Sequence, residues 1–264
     1  MRNDNPGDHP VVIDGVTVNV LNEKDLLRSI ISRTRAGVGF TLATLNLDHL
    51  VKRRNDSAFR AAYARMTLVT ADGSPIVALG RRQAPDLRRA TGADLVKPLC
   101  AQAAKEAIPI YLFGSTAASL DLAGSRLKTL YPGLVICGQE APPLGFDPFS
   151  AEALTCGERI AASGARLCFV CLGAPKQELF SDRMTQLHHG IGFLSVGAAL
   201  DFIADTQVRA PLFMQKAGIE WLWRIMTNPR RMIWRYIQCA ALLVEISLIA
   251  PLAQRLGQKS EFGH

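Results

Sequence analysis

Read for its apolar spacing, the chain alternates between short runs of consecutive hydrophobic residues and longer stretches where they recur every three or four positions. The first pattern marks strands buried on both faces, the second amphipathic helices. Val11–Ile13, the Asp14-Gly15 pair and Val16–Val20 predict a hairpin with a tight turn. Asn22 is placed to cap a helix with Leu26, Leu27, Ile30 and Ile31 on one face, and Gly37 stops it. Buried strands are predicted at Phe40–Leu45, Thr67–Thr70, Ile108–Phe113, Leu134–Cys137, Leu167–Leu172 and Gly192–Val196. Between them fall a helix broken near Asn55-Asp56 and helices at Asp94–Ala107, Thr116–Leu130, Ala151–Ser163 and Lys176–Leu187, with a proline-rich loop over Pro142–Pro148.

This order predicts an α/β fold: a Rossmann-like parallel sheet with helices on both faces, an N-terminal β-hairpin and a helical C-terminal appendage that associates with membrane. The expected division is a catalytic domain over 11–206, an appendage over 207–256, and disordered tails at 1–10 and 257–264. Right-handed crossovers put every strand's C-terminal end on one edge, where ligands bind in such sheets. The residues just beyond the strands are therefore the candidates: Thr44 and Asn46, Asp72 and Gly73, Gly114 to Thr116, Gly173 to Glu178, and Gly197 to Asp201.

The last third changes character. Residues 206–244 hold Arg209, Lys216, Arg224, Arg230, Arg231 and Arg235 against one acid, Glu220, and the stretch carries all three tryptophans, Trp221, Trp223 and Trp234. Arginine suits phosphate oxygens, and tryptophan suits a surface half apolar and half wet. With Asn228 as cap and Pro229 opening a helix, Arg231 and Arg235 fall one turn apart. The apolar continuation Cys239–Leu252 contains Glu245 and is interrupted by Pro251, too short for a membrane span of ~20 apolar residues. Two readings stand: a helix lying in a membrane interface, or one packed on the domain or in a dimer.

Composition adds little beyond this. The formal charge of +7 points to anionic partners, nucleic acid, acidic lipid or phosphorylated substrate. Six cysteines show neither metal-finger spacing nor a disulfide framework, and Cys168-Phe-Val-Cys171 reads as core thiols of a buried strand rather than a redox pair. The polar N-terminus lacks a signal-peptide core, which predicts a cytoplasmic protein.

Gly173-Ala-Pro-Lys176-Gln177-Glu178 follows a strand and opens a helix, an arrangement whose free N–H groups and dipole suit a phosphate. Phe113-Gly114-Ser115-Thr116 is a weaker version, in which Gly114 permits a close nucleotide approach or Ser115 and Thr116 merely cap a helix. Asp72 at a strand tip is placed for general-base work, or for an Asp-Gly turn bonding its own backbone. Thr44 and Asn46 offer neutral donors and acceptors to sugar hydroxyls. The Asp48-His49 pair lacks a nucleophile elbow, which sets a hydrolase aside. P-loop, G-x-G-x-x-G and D-x-D patterns are absent from the sequence, so leaving-group charge falls to arginines and lysines.

Several stretches together carry a resemblance: Thr44-Leu-Asn46, Ala71-Asp72-Gly73, Arg89-Ala-Thr-Gly92-Ala-Asp94-Leu95, Gly173–Glu178, Gly197-Ala-Ala-Leu-Asp201-Phe202, Arg209-Ala-Pro211, Gly218-Ile-Glu220-Trp221, and Pro229-Arg-Arg231 with Arg235-Tyr236. In this order, from about Val11 to Tyr236, the chain resembles the WecG/TagA/CpsF glycosyltransferases (glycosyltransferase family 26), most nearly the GumM-type members of exopolysaccharide assembly. The resemblance implies inverting, metal-independent transfer from a UDP-sugar to a polyprenyl-diphosphate-linked sugar at the inner face of the cytoplasmic membrane, with no cofactor. It implies Asp72 as general base, Arg89 and Gln177 as active-site groups, and Thr44 and Asn46 as sugar or acceptor contacts. It also implies that Arg224, Arg231 and Arg235 close over diphosphate from a membrane-associating C-terminus. The strand-end residues Gly73, Gly114, Gly173, Lys176 and Asp201 complete the expected substrate site. Two departures stand out. Ala204-Asp205 occupies a place where the family often has glycine, bringing an added charge near the expected site, and Ser74-Pro75 follows Asp72-Gly73.

A rival class is a non-catalytic nucleic-acid binder using the basic, aromatic C-terminus. It leaves the polar strand-end residues without a role. A dinucleotide-dependent enzyme is disfavoured by the missing glycine fingerprint. Donor sugar and acceptor glycan are not legible, and a homo-oligomer is left open.

Overall fold

The computed structural model describes residues 11–249, with the side chains of Lys216, Arg231 and Ile249 left undescribed. The expected tails at 1–10 and 257–264 and the segment around Pro251 lie outside the described residues. β1 (Val11–Ile13) and β2 (Val16–Val18) form the hairpin, with both turn residues at positive φ (Asp14 47°, Gly15 73°). A mirror-image two-residue turn requires that backbone.

Six parallel strands follow: β3 (Phe40–Leu45), β4 (Leu68–Ala71), β5 (Ile110–Gly114), β6 (Ile136–Glu140), β7 (Leu167–Cys171) and β8 (Gly192–Ser195), ordered β4-β3-β8-β7-β5-β6. The α/β prediction holds. On one face pack α1 (Glu23–Arg35), α5 (Gly92–Lys105), α6 (Ala117–Leu130) and α9 (Ala199–Ala204), through Leu26, Ile30, Leu99, Leu120 and Leu200. The other face takes α2 (Leu47–Asn55), α3 (Ser57–Arg65), α4 (Ser74–Gly80), α7 (Ala151–Ala162) and α8 (Lys176–Leu187). There Phe113 stacks on Phe180 with centroids 4.5 Å apart, wedged by Phe146 and Phe193. Each such ring contributes about 1.5–3 kcal/mol through burial. Cys168 and Cys171 are free and point to opposite faces of β7, so they are core thiols.

Three expectations need correction. Leu134 packs in the core, but the strand lies later, at Ile136–Glu140, because an edge strand half-open to solvent carries polar residues that the apolar run does not mark. β5 begins at Ile110 rather than Ile108, after Ala107 turns through φ 50°. Helix α4 was not read from the sequence at all. It is seven residues, nearly all apolar, and too short to show a period.

The C-terminal part is helical: α10 (Leu212–Ala217), α11 (Glu220–Thr227), α12 (Pro229–Val244) and a π-helical turn (Glu245–Ile249). Helix α12 lies along α2, burying Met232, Cys239 and Leu242, while Ile233, Trp234, Ile237 and Val244, and Leu248 of the π-helical turn, stay exposed. Arg54 on α2 holds both Asp14 of the hairpin and Glu245 at 2.8 Å, which pins the far end of α12. Among the described residues no helix is long and apolar enough to cross a membrane.

Candidate active site

The tips of β3, β4, β5, β7 and β8 share one edge because all five strands run parallel. Asp72 leaves the tip of β4, its N–H bonded to the Leu45 carbonyl of β3 at 2.7 Å. Gly73 turns through φ 89° and Pro75 starts α4, so the chain is thrown sharply away and the Asp72 carboxylate is left facing the edge. The Asp-Gly pair is thus a strand-to-helix turn with a half-buried carboxylate. Burial pushes Asp72 up to about 6, opposed by Arg224 and Arg89 and reinforced by Glu220 and Asp94. A carboxylate poised there is ionised at neutral pH yet basic enough to take a hydroxyl proton.

Arg89 is half-buried. It donates to Glu220 Oε1 at 2.6 Å and reaches Asp94 Oδ2 at 3.4 Å. Arg209 reaches Asp94 Oδ1 at 2.8 Å and Glu220 Oε1 at 4.0 Å. Two cations and two anions, from the loop before α5, its first turn, and the C-terminal segment, thus form one compensated network. Asp94 is itself fixed by the capping Thr91, whose hydroxyl donates to Oδ2 at 2.8 Å. Gly92 sits where an added β-carbon would come 2.6 Å from Val196 Cα, so only glycine lets α5 approach the end of β8 this closely.

Thr44 is buried near the tip of β3, and Asn46 caps α2 through its side-chain oxygen, accepting from the His49 N–H at 3.0 Å. Gln177 is buried: its amide donates to Glu178 Oε1 at 2.8 Å and accepts from the Gly197 N–H at 3.2 Å. It therefore braces the β7 and β8 turns against each other. Gly173 (φ 72°) has open space where a side chain would stand, its carbonyl accepts from the Gln177 N–H at 3.1 Å, and α8 starts at half-exposed Lys176 without a side-chain cap. Gly114 (φ 108°) is required by the backbone of β7: a β-carbon would lie 2.5 Å from the Cys171 carbonyl oxygen. Asp201 accepts hydrogen bonds from Ser115 and from Gln207, the latter at 3.1 Å.

Behind this edge His49 shares a hydrogen bond with Tyr63 at 2.9 Å, and burial drives it down to about 3, so it is neutral. Its ring stands 3.9 Å from Glu178, which burial raises to about 7. This pair is inward-facing support.

Of the C-terminal arginines, Arg224 is exposed, and among the described residues it makes no ion pair; it is the strongest opposite charge felt by Asp72. Arg235 pairs with Asp48 at 2.9 Å. The Arg231 side chain lies outside the described residues. Asn228 precedes α12 as predicted but caps it without a side-chain hydrogen bond. Asp205 is corrected. It lies at the left-handed C-terminus of α9 (φ 57°), three-quarters exposed, and its added charge is paired with Arg126 rather than left open. A left-handed position explains why glycine suits that place.

The model of the "Glycosyl transferase WecG/TagA/CpsF family" matches residues 11–259, nearly the whole chain. The chain belongs to that family. It is therefore a glycosyltransferase on a parallel α/β sheet, and the WecG/TagA/CpsF match runs through all the strand tips and on through the C-terminal helices. Within this member the structure brings Asp72, Arg89 and Arg224 into one electrostatic neighbourhood. Glu220, Asp94 and Asp48 are named in the sequence reading, but their pairing with the arginines is seen only in the structure. The one available signal was that Glu220 is the lone acid in a strongly basic stretch.

Proposed function

We propose that this chain is an inverting, metal-independent glycosyltransferase. It moves a hexose or N-acetylhexosamine-type sugar from a UDP-sugar to a polyprenyl-diphosphate-linked saccharide during exopolysaccharide or other cell-surface polysaccharide assembly. The observation that carries this reading is the placement of Asp72, a strand-tip carboxylate held near 6 by burial against the pull of Arg224 and Arg89.

Asp72 takes the proton of the acceptor hydroxyl as its oxygen bonds the anomeric carbon. The bond to the UDP oxygen breaks on the opposite face, which inverts that centre. The departing diphosphate carries the developing charge. Lys176, the open N-terminus of α8 and the C-terminal arginines Arg224, Arg231 and Arg235 are the groups that meet it. Thr44 and Asn46 address the sugar hydroxyls, Gln177 shapes the floor, and Gly73, Gly114, Gly173 and Asp201 set the turns around the donor. Residues 11–206 act as the catalytic body and 207–256 as a cover. The exposed Leu212, Phe213, Met226, Trp234 and Ile237 support docking of that cover on the inner face of the cytoplasmic membrane.

The test is a donor screen. Purified protein is given each UDP-sugar with a short-chain polyprenyl-diphosphate sugar acceptor, and UDP release and product mass are followed. Transfer from one donor, with inversion, supports the reading; silence across all donors with EDTA-insensitive folding intact sinks it.

A further inference from the structure

No residue of helix α11 is fully buried, and its aromatic contact is with α12, where the Trp221 and Tyr236 ring centroids stand 6.0 Å apart. Its ion pair to the α/β body is made at its N-terminal end. Gly218, left-handed at φ 73°, presses its backbone on Ser74, whose hydroxyl is 3.5 Å from the Gly218 carbonyl; any side chain at 218 would overlap Ser74. Immediately after it, Glu220 takes the 2.6 Å contact from Arg89 and stands 4.0 Å from Arg209, with Asp94 holding the other side of both arginines. The four side chains are 20–30% exposed, so water screens the network only in part. Arg224 follows Glu220 by four positions, one helical turn on the same face.

We propose that Glu220 is a positioning residue: its latch on Arg89 and Arg209 holds α11 against the sheet edge and so keeps Arg224, one turn further on, at the Asp72 side of the site. Glu220 never touches the reacting atoms. It acts by deciding where Arg224 stands. Losing the latch lets the short helix lift, and the catalytic edge loses the Arg224 charge. The inference depends on the transfer reading above only for its kinetic arm.

All three tryptophans lie in α11 and α12, so intrinsic fluorescence reports on the cover alone. Trp223 is the sensitive one, since its indole N–H donates to the Val208 carbonyl at 3.3 Å. The isosteric variant Glu220→Gln is compared with wild type by acrylamide quenching, by tryptic cleavage at Arg224 and Arg230, and by the pH profile of transfer. Increased quenching and faster cleavage are expected, together with a loss carried by kcat of roughly tenfold or more. The charged groups facing Asp72 are Arg224, Arg89, Glu220, Asp94 and, through its hydroxyl, Tyr63. Removing the Glu220 charge alone would ease Asp72 to lower pH, whereas losing Arg224 would push it higher. An acid limb that moves upward supports the latch. A limb that moves downward, with quenching and cleavage unchanged, overturns it. If Glu220→Gln fails to fold by circular dichroism, Arg89→Gln, which removes the 2.6 Å partner, carries the test by quenching alone: increased quenching supports the latch and unchanged quenching overturns it. Quenching and proteolysis need no substrate, so absence of transfer in the wild type would count against the transfer reading and leave the latch to its own result.

Discussion

Arg235 Nε lies 2.9 Å from Asp48 Oδ1, which ties the middle of α12 to the first turn of α2, two residues past Asn46. Lys52 shares the same carboxylate at 2.7 Å and donates to the Ala174 carbonyl at 2.9 Å. The charge of Arg235 is thus shared with Asp48 before any diphosphate arrives, while Arg224 makes no ion pair among the described residues and pulls on Asp72. The two arginines should therefore not be equivalent. Arg224→Ala is expected to lower kcat for transfer by about 10²-fold, and Arg235→Ala by about tenfold or less with a fall in melting temperature, because the buried Asp48 is left with Lys52 as its one charged partner among the described residues. Steady-state kinetics beside thermal unfolding would separate them; equal kinetic losses would contradict this division.

Asp72→Asn keeps the shape of the strand tip and removes the base. Transfer should be abolished while UDP-sugar binding by calorimetry stays within a few-fold of wild type. Wild-type-like turnover would refute the base assignment.

The same substitution carries a stability signature. The folded-state value of Asp72 is raised from 3.8 to about 6, so the fold disfavours the ionised form. The contribution of the protonated carboxyl is fully present below the unfolded value and is lost as pH rises through about 6. Asp72→Asn should thus be more stable than wild type at pH 7–8, by about 1–2 kcal/mol after allowance for partial exposure, and indistinguishable near pH 3.5. Urea unfolding at the two pH values measures it.

In the wild type, kcat/KM should fall on the acid side with an apparent midpoint near 6, because only ionised Asp72 accepts the proton. In Arg224→Lys, which keeps the charge on a looser stem, the midpoint should stay within a few tenths of a unit; in Arg224→Ala it should rise. A profile flat from pH 5 to 8 would remove Asp72 from the role.

Much of the edge was legible because its determinants are local. A carboxylate after a β-rich run and before Gly73-Ser74-Pro75 sits at a strand tip whichever strand neighbours it, and Thr116 announces its helix by spacing alone, whereas the capping of α2 by Asn46 is visible only in the structure. The arginine partners were not legible. Arg89 meets Glu220 across 131 positions, and Asp48 meets Arg235 only because α12 folds back along α2. Periodicity says which face of a helix is apolar, not which other helix it will find. Gly114 carries a requirement that spacing does not show: at φ 108° it packs against the backbone of β7.

Gly92→Ala tests that kind of packing at the site itself. The added carbon would meet Val196 backbone at 2.6 Å and 3.0 Å, and backbone yields poorly. A loss of about 1–3 kcal/mol is expected by urea unfolding. Because Thr91 and Asp94 lie in the same turn, activity should fall as well. An unchanged midpoint would mean that α5 can shift freely against β8.

Truncation after Thr227 removes α12 but leaves α11 and Arg224. The cover then loses the buried Met232, Cys239 and Leu242, the Arg54–Glu245 pair, and the Trp221–Tyr236 ring contact with centroids 6.0 Å apart. No residue of helix α11 is fully buried, so Arg224 loses its brace although it remains in the chain. Both transfer and co-sedimentation with anionic vesicles should disappear. The milder double variant Trp234→Ser, Ile237→Ser alters only exposed positions and keeps the α2 contact. It should retain the wild-type melting temperature and reduce vesicle binding, by about tenfold or more given the apolar area removed. Vesicle binding that survives both changes would show that the exposed face of α12 is not what meets the lipid, and transfer that survives truncation would show that the edge works uncovered.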